Sequence, residues 1–162
     1  MREIPANQLD PRIKAVWRIN DGFWISLIAL GVLLPFILVE IFDPMDWVWP
    51  VLITGLALYA ACLVLFIGIL PQIRYVRWRY ELTPDYLDIA KGIIWRKRYV
   101  IPFIRVQNTD TRQGPLLRAV HLSSVTVATA AGEHVIPGLG IEEADRLRDR
   151  AAELARIARE DV

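Results

Sequence analysis

From Trp47 to Leu70 the chain runs for 24 residues without a charge, and 20 of them are apolar. An earlier block, Phe23 to Phe42, is apolar at 16 of 20 positions, with Glu40 as its only charge. A helix rises about 1.5 Å per residue, so ~20 residues cross the ~30 Å hydrocarbon core of a bilayer. Both blocks reach that length and are predicted as transmembrane helices, spans 23–42 and 47–70. The first is expected to be a true span and not a cleaved leader, because a leader's apolar region is about 7–15 residues long and ends in small residues, whereas this one ends Val39-Glu40-Ile41-Phe42.

These blocks explain an unusual composition. The chain of 162 residues is 54% apolar and also 23% charged. Without the blocks, 118 residues remain, about 43% apolar, which suits one soluble domain. Intrinsic disorder is excluded by the apolar content, and a disulfide scaffold by the single Cys62. A net charge of +1 gives no global field for nucleic acid, and no nucleic-acid partner is expected.

Only Asp43-Pro44-Met45-Asp46 separates the spans, so they must run antiparallel. Asp46 is expected to cap the second helix, with Pro50 in its first turn. Pro35 is expected to bend the first span, and Gly31, Gly55 and Gly68 offer sites of close approach. Basic residues flank the pair: Arg2, Arg12, Lys14 and Arg18 before it, Arg74, Arg77 and Arg79 after it, and none between. Positive residues stay on the cytoplasmic side, so both termini are predicted there. Trp47 and Trp49 then mark the outer interface, and Trp17, Trp24 and Tyr75 the inner one. Residues 1–22 form a cytoplasmic N-terminal segment in which Ile13, Val16, Trp17 and Asn20 recur at helical spacing. An interfacial helix and a longer transmembrane helix both satisfy that pattern.

Residues 71–162 read as a cytoplasmic domain. Val76, Trp78, Tyr80 and Leu82 alternate with polar residues, which predicts a strand. Further strands are predicted at Tyr86–Lys91, through Ile93, Trp95, Tyr99 and Ile101, at Ile104–Arg112, through Val125, Val127 and Thr129, and around Val135 and Ile136. Ile141, Ala144, Leu147, Ala151, Leu154 and Ala158 make one apolar stripe of a closing helix. Short antiparallel strands followed by one amphipathic helix imply an α+β barrel or sandwich plugged by that helix.

Several stretches resemble bacterial pleckstrin-homology (PH)-like membrane proteins of the YdbS type. They include Leu9-Asp10-Pro11-Arg12 with Trp17-Arg18, Arg79-Tyr80-Glu81-Leu82-Thr83, Gly92-Ile93-Ile94, and Ile101-Pro102-Phe103-Ile104-Arg105-Val106-Gln107. Gly114-Pro115-Leu116 with Arg118 and Val127-Ala128-Thr129-Ala130-Ala131-Gly132 continue the likeness. The resemblance implies a two-helix transmembrane hairpin in a bacterial cytoplasmic membrane and a PH-like domain, a bent antiparallel sheet capped by the C-terminal helix. It also implies a protein partner, a related membrane protein with several such domains. Two departures stand out. Six strands are counted where a PH domain has seven, and Val120-His121-Leu122 occupies a place where the family tends to have glycine.

No catalytic constellation is present. His121 and His134 have no Cys, His or carboxylate at metal-ligand spacing, and no metal, cofactor or small-molecule substrate is expected. Cys62 reads as a small apolar packer, and Glu40 as an interfacial residue near the outer end of its span. The informative signal is charge: residues 71–118 carry a net +6 and residues 119–162 a net −3. Arg74, Arg77, Arg79, Trp95, Arg96, Lys97, Arg98, Arg105, Arg112 and Arg118 are the candidate contacts to anionic inner-leaflet headgroups, at low specificity, or to a protein partner. Strand alternation sets Lys97 on the face opposite Arg96 and Arg98. The turn Thr83-Pro84-Asp85 has no base, so the basic loop of phosphoinositide-binding PH domains is missing. The expected function is a non-enzymatic, membrane-anchored PH-like module. The alternative is a small subunit of a transport or envelope-stress complex whose spans pack in a larger bundle.

Overall fold

The computed structural model describes residues 5–160. Arg2 lies outside them. The described residues divide into two compact units: residues 17–72, and residues 5–16 together with 73–160.

The first unit is an apolar helical hairpin. Helix α1 covers Ile13–Phe42, and a second long helix, Val48–Arg77, answers it; both are long and apolar enough to cross a membrane. The second comprises α2 (Val48–Leu63), a π-helical segment (Val64–Ile69) and α3 (Leu70–Arg77). Pro71 has no N–H to donate within the helix, and a proline ring crowds the carbonyl four residues back; the π segment stands just before it. Trp47, not Asp46, is the N-cap residue of α2, and no side chain caps it. The N–H of Val48 bonds instead to the Met45 carbonyl within the link (2.9 Å). Between the helices Ser26 Oγ and Tyr59 Oη share a hydrogen bond of 2.9 Å. Gly55 admits the end of Leu33, whose Cδ2 lies 2.5 Å from where a Cβ would stand. Neither Gly31 nor Gly68 is approached in this way.

The second unit is a PH-like sandwich. Its first sheet has the order β1 (Asn7–Gln8), β2 (Arg79–Leu82), β3 (Tyr86–Lys91), β4 (Lys97–Pro102). The second sheet is β5 (Val106–Arg112), β6 (Leu122–Thr129), β7 (Gly132–Gly140). All pairs are antiparallel, and the two sheets do not close into a barrel. Helix α4 (Pro115–Ala119) joins β5 to β6, and α5 (Ile141–Glu160) packs on β5, β6 and β7. The seventh strand is the two-residue β1, which periodicity cannot register at that length. Val76 and Arg77 end a helix rather than begin a strand, and β2 is correspondingly short.

The core joins Tyr80, Leu87, Ile89 and Ile101 to Phe103, Val106, Leu122, Val125, Val127, Ile136 and Leu139, with Ala144, Ala151, Leu154 and Ala155 of α5 over them. Ile141 of the expected stripe is exposed, and Ala155 is buried in addition. Tyr80 donates a 2.6 Å hydrogen bond to Glu143 Oε1, tying β2 to α5. Burial, and then the Glu143 carboxylate, push the Tyr80 phenol well above its ordinary pKa.

The first turn of α1 belongs to this unit. Leu9, Ile13 and Val16 are buried in it. The N–H of Asp10 bonds to the Gly138 carbonyl (2.9 Å), and Arg12 reaches the Val120 carbonyl (3.0 Å). The Arg12 guanidinium also grips Asp10, at 2.8 Å from Oδ2, and its hydrogen bond holds that carboxyl below the usual carboxylate range. Gly138, at φ +66, lies against Ile13: an added Cβ would stand 2.5 Å from Ile13 Cγ1 and 2.6 Å from its Cβ. His121 also has a positive φ, 57°, at the place where the family resemblance put glycine.

Two substitutions should therefore move stability in opposite directions. Gly138→Ala combines left-handed strain with overpacking on Ile13 and should cost about 2–4 kcal/mol. His121→Gly relieves left-handed strain and should add about 1 kcal/mol. Thermal unfolding of the detergent-solubilised chain reads both. Gly140→Ala, with nothing within 4 Å of its added Cβ, serves as the reference.

Candidate functional site

A cleft of about 440 Å³ opens beside the β3–β4 hairpin. Its lining includes Arg77 and Val76 from α3, Arg79 from β2, Ala90 and Lys91 from β3, Gly92 from the turn, and Arg96, Lys97 and Arg98 leading into β4. Six of these residues are cationic, and no acidic residue joins them among the described residues.

Strand register explains the hollow. Arg79 pairs with Ala90, and Ala90 with Arg98, so these three form one row across the sheet and share a face. Two long cationic side chains thus flank a methyl group. The row beside it, Tyr80, Ile89 and Tyr99, points to the core. Asp88 lies on the cleft's face, two residues from Ala90, and is only 2% exposed. Arg98 covers it, with Nε 3.0 Å from both carboxylate oxygens and Nη2 2.5 Å from Oδ2. That hydrogen-bonded pairing raises the Arg98 pKa further. Arg98 is therefore a wall of the cleft held by its own counter-ion.

The turn departs from the sequence expectation. Ile93 and Trp95 do not continue a strand face toward Tyr99 and Ile101. Lys91 pairs with Lys97, which closes the hairpin there and leaves residues 92–96 as its tip. Gly92 has φ +119, and a Cβ on it would stand 1.9 Å from the Trp95 carbonyl oxygen, so only glycine fits. The Arg77 guanidinium donates a hydrogen bond to the Ile93 carbonyl, bracing the tip against α3. Ile94 and Trp95 then project outward, 84% and 81% exposed. Lys91 also lies over the Tyr99 ring, 5.1 Å from its centroid.

Of the ten predicted contact residues, Arg77, Arg79, Arg96, Lys97 and Arg98 line this cleft, and Trp95 stands at its tip. Lys97 faces away from Arg96 and Arg98 along the strand, yet the end of the hairpin brings all three to the cleft. Four lie elsewhere. Arg74 is on α3 outside the lining, Arg105 borders a second groove, Arg112 pairs with Glu133 (3.3 Å), and Arg118 is on α4. Sequence reasoning passed over Lys91, Gly92, Ile94 and Ala90. The available signal was an apolar pair directly after a glycine turn, where turn residues are ordinarily polar.

The second groove, about 680 Å³, runs along β4 and the start of β5 and includes Val100, Ile104, Arg105, His134 and Arg159. His134 rests 4.9 Å from the Tyr99 ring, and burial, helped by the Lys91 charge, lowers its pKa. Among the described residues no three His, Cys, Asp or Glu side chains come together as metal ligands.

A family model described as "Bacterial PH domain" matches residues 13–155. The chain is 39% identical over 164 aligned positions to "UPF0699 transmembrane protein YdbS" of Bacillus subtilis (strain 168), a match that spans the whole of both chains. No solved structure matches.

Asp88 is buried while Arg98 is partly exposed, so removing Arg98 strands a buried carboxylate. Arg98→Gln should therefore lower the melting temperature by several degrees, and Asp88→Asn in the same chain should restore most of the loss. Equal melting temperatures for the single and double variants would show that the pair does not hold this wall.

Proposed function

The chain belongs to the bacterial PH-domain family, and on that premise we propose that it is a non-enzymatic, membrane-anchored module whose β3–β4 tip engages the anionic inner leaflet. The relative's name describes a transmembrane protein, and this chain has two helices of spanning length. The basic residues on either side of the hairpin, and their absence from its link, support an inner-membrane orientation with both termini cytoplasmic.

One observation carries the leaflet reading. Ile94 and Trp95 are exposed side by side at a tip bordered by Lys91, Arg96 and Lys97. An apolar aromatic tip ringed by cations matches the chemistry of a headgroup interface. Each cation near an anionic leaflet contributes about 1 kcal/mol, fading within a Debye length. Arg77, which braces the tip, stands seven residues after Leu70, the end of the predicted span. Because the spans already hold the protein in the bilayer, this contact orients the domain and need not recruit it.

The test uses the full chain with Cys62→Ala and Ile94→Cys carrying an environment-sensitive dye. In nanodiscs of anionic lipid the emission should shift to the blue and resist an aqueous quencher; in zwitterionic lipid it should do so less. Equal, water-like emission in both would refute the leaflet contact. Orientation is checked separately in intact cells: Asp43→Cys should label from outside and Arg159→Cys should not.

Docking of a protein partner is supported by a different observation. β4 and β5 are outer strands of their sheets, and the groove beside them presents Val100 and Ile104. An exposed edge of this kind accepts an added strand. A photo-crosslinker at Ile104 should then join the chain to another membrane protein in native membranes; a purely monomeric product would count against this reading.

A further inference from the structure

We propose that the basic cleft is a discrete site for one anionic glycerophosphate, a phosphate group with no cation of its own to balance it. The proposal rests on the leaflet reading for the source of its ligand, while the chemistry of the cleft stands by itself.

Crowding of charge is the first argument. Arg77, Arg79, Arg96, Lys97 and Arg98 line about 440 Å³; Lys91 also lines it, but its ammonium lies over the Tyr99 ring. Among the described residues Asp88 is ion-paired with Arg98, and Arg77 spends one donor on the Ile93 carbonyl. The remaining positive charges repel one another until an anion enters. Guanidinium groups hold phosphate oxygens through paired, charge-assisted hydrogen bonds, and this cleft offers several of them.

Shape is the second. The Arg79–Ala90–Arg98 row sets a methyl group between two cationic side chains, and all three line the cleft. The volume lies in the range of small-ligand sites and suits a phosphate with a short polyol.

The lining also selects the ligand class. Among the described residues it contains no carboxylate and no aromatic ring, so a phosphocholine or phosphoethanolamine headgroup finds no partner there to receive its ammonium. The same lack of an aromatic platform leaves a nucleobase without a stacking partner. An anionic glycerophosphate requires neither. It occurs both as the headgroup of phosphatidylglycerol and as free glycerol phosphate.

Ala90→Leu isolates the site, because it fills the space while keeping every cation and the Ile94–Trp95 tip. Arg79→Gln is the second variant, removing one charge with little change in volume. The full-length protein is extracted from mixed bilayers of phosphatidylglycerol and phosphatidylcholine, and retained lipids are counted by native mass spectrometry. One phosphatidylglycerol per chain should be retained in preference to phosphatidylcholine, and each variant should lower that preference about tenfold. A variant that does not fold is recognised by its circular dichroism, and the other then decides. Calorimetric titration of the protein in phosphatidylcholine nanodiscs with glycerol phosphate, and separately with inorganic phosphate, distinguishes the sources. Saturable binding that Ala90→Leu abolishes supports a site for phosphate from either source. Lipid retention without such binding supports the headgroup alone. Absence of any preference for phosphatidylglycerol together with no titration signal, or a preference untouched in both folded variants, overturns the site. The dye at residue 94 reports the leaflet contact independently in these same variants, so loss of the site with an embedded tip and loss of the tip contact are separate results.

Discussion

A two-residue pairing closes the topology of this protein. Asn7 and Gln8 lie beside Tyr80 and Arg79, and the whole helical hairpin is strung between these neighbouring strands. Closing so long a loop is entropically unfavourable, and two residues of ladder are little to oppose it. The adjoining packing supplies the rest. Leu9 and Ile13 are buried, Ile13 fills the space that Gly138 leaves open, and Arg12 links Asp10 to the Val120 carbonyl. Through these contacts the first turn of α1 becomes part of the sandwich core. Every later feature of the first sheet depends on this arrangement, because β2 is entered directly from the end of α3.

The β3–β4 hairpin turns that arrangement to use. Its turn lies at the same end of the sheet as the passage from α3 into β2, since Arg79 opens β2 opposite Ala90, next to the turn. Arg77 can therefore brace the turn from α3. The result concentrates two kinds of side chain that a soluble domain ordinarily keeps apart: a bare apolar pair and a cluster of cations. Exposed apolar patches and like-charge crowding are each unfavourable in water, and both are relieved by an anionic bilayer surface. The single buried carboxylate, Asp88, is shielded by Arg98, so it helps to shape the cleft wall without cancelling the rest of its charge.

Much of the fold is legible in the sequence. The spans follow from apolar run length, because a backbone in hydrocarbon must satisfy its own hydrogen bonds within a helix. The bounds of β3 and the presence of a closing helix follow from periodicities of two and 3.6. The misreadings are local and physical. Val76 fits a strand alternation, yet the helix runs on to Arg77. Ile93 and Trp95 fit the next strand's face, yet Gly92 turns the chain before they can join it. β1 has no period to read because it is only two residues long, and its partner is more than seventy residues away.

Run length, alternation and the placement of charge are properties of contiguous segments, so the sequence by itself determined the two apolar helices, most strands, the closing helix and the basic half of the domain. The cleft is of another kind. Arg79, Ala90 and Arg98 are distant in sequence, and only strand register makes them one row with a hollow at its centre. Bringing Arg77, Arg79, Arg96, Lys97 and Arg98 to one cleft while leaving Arg74, Arg105, Arg112 and Arg118 elsewhere was likewise decided by the tertiary structure. Cross-strand neighbours are chosen by the pairing of whole strands, and no local pattern of residues encodes that choice.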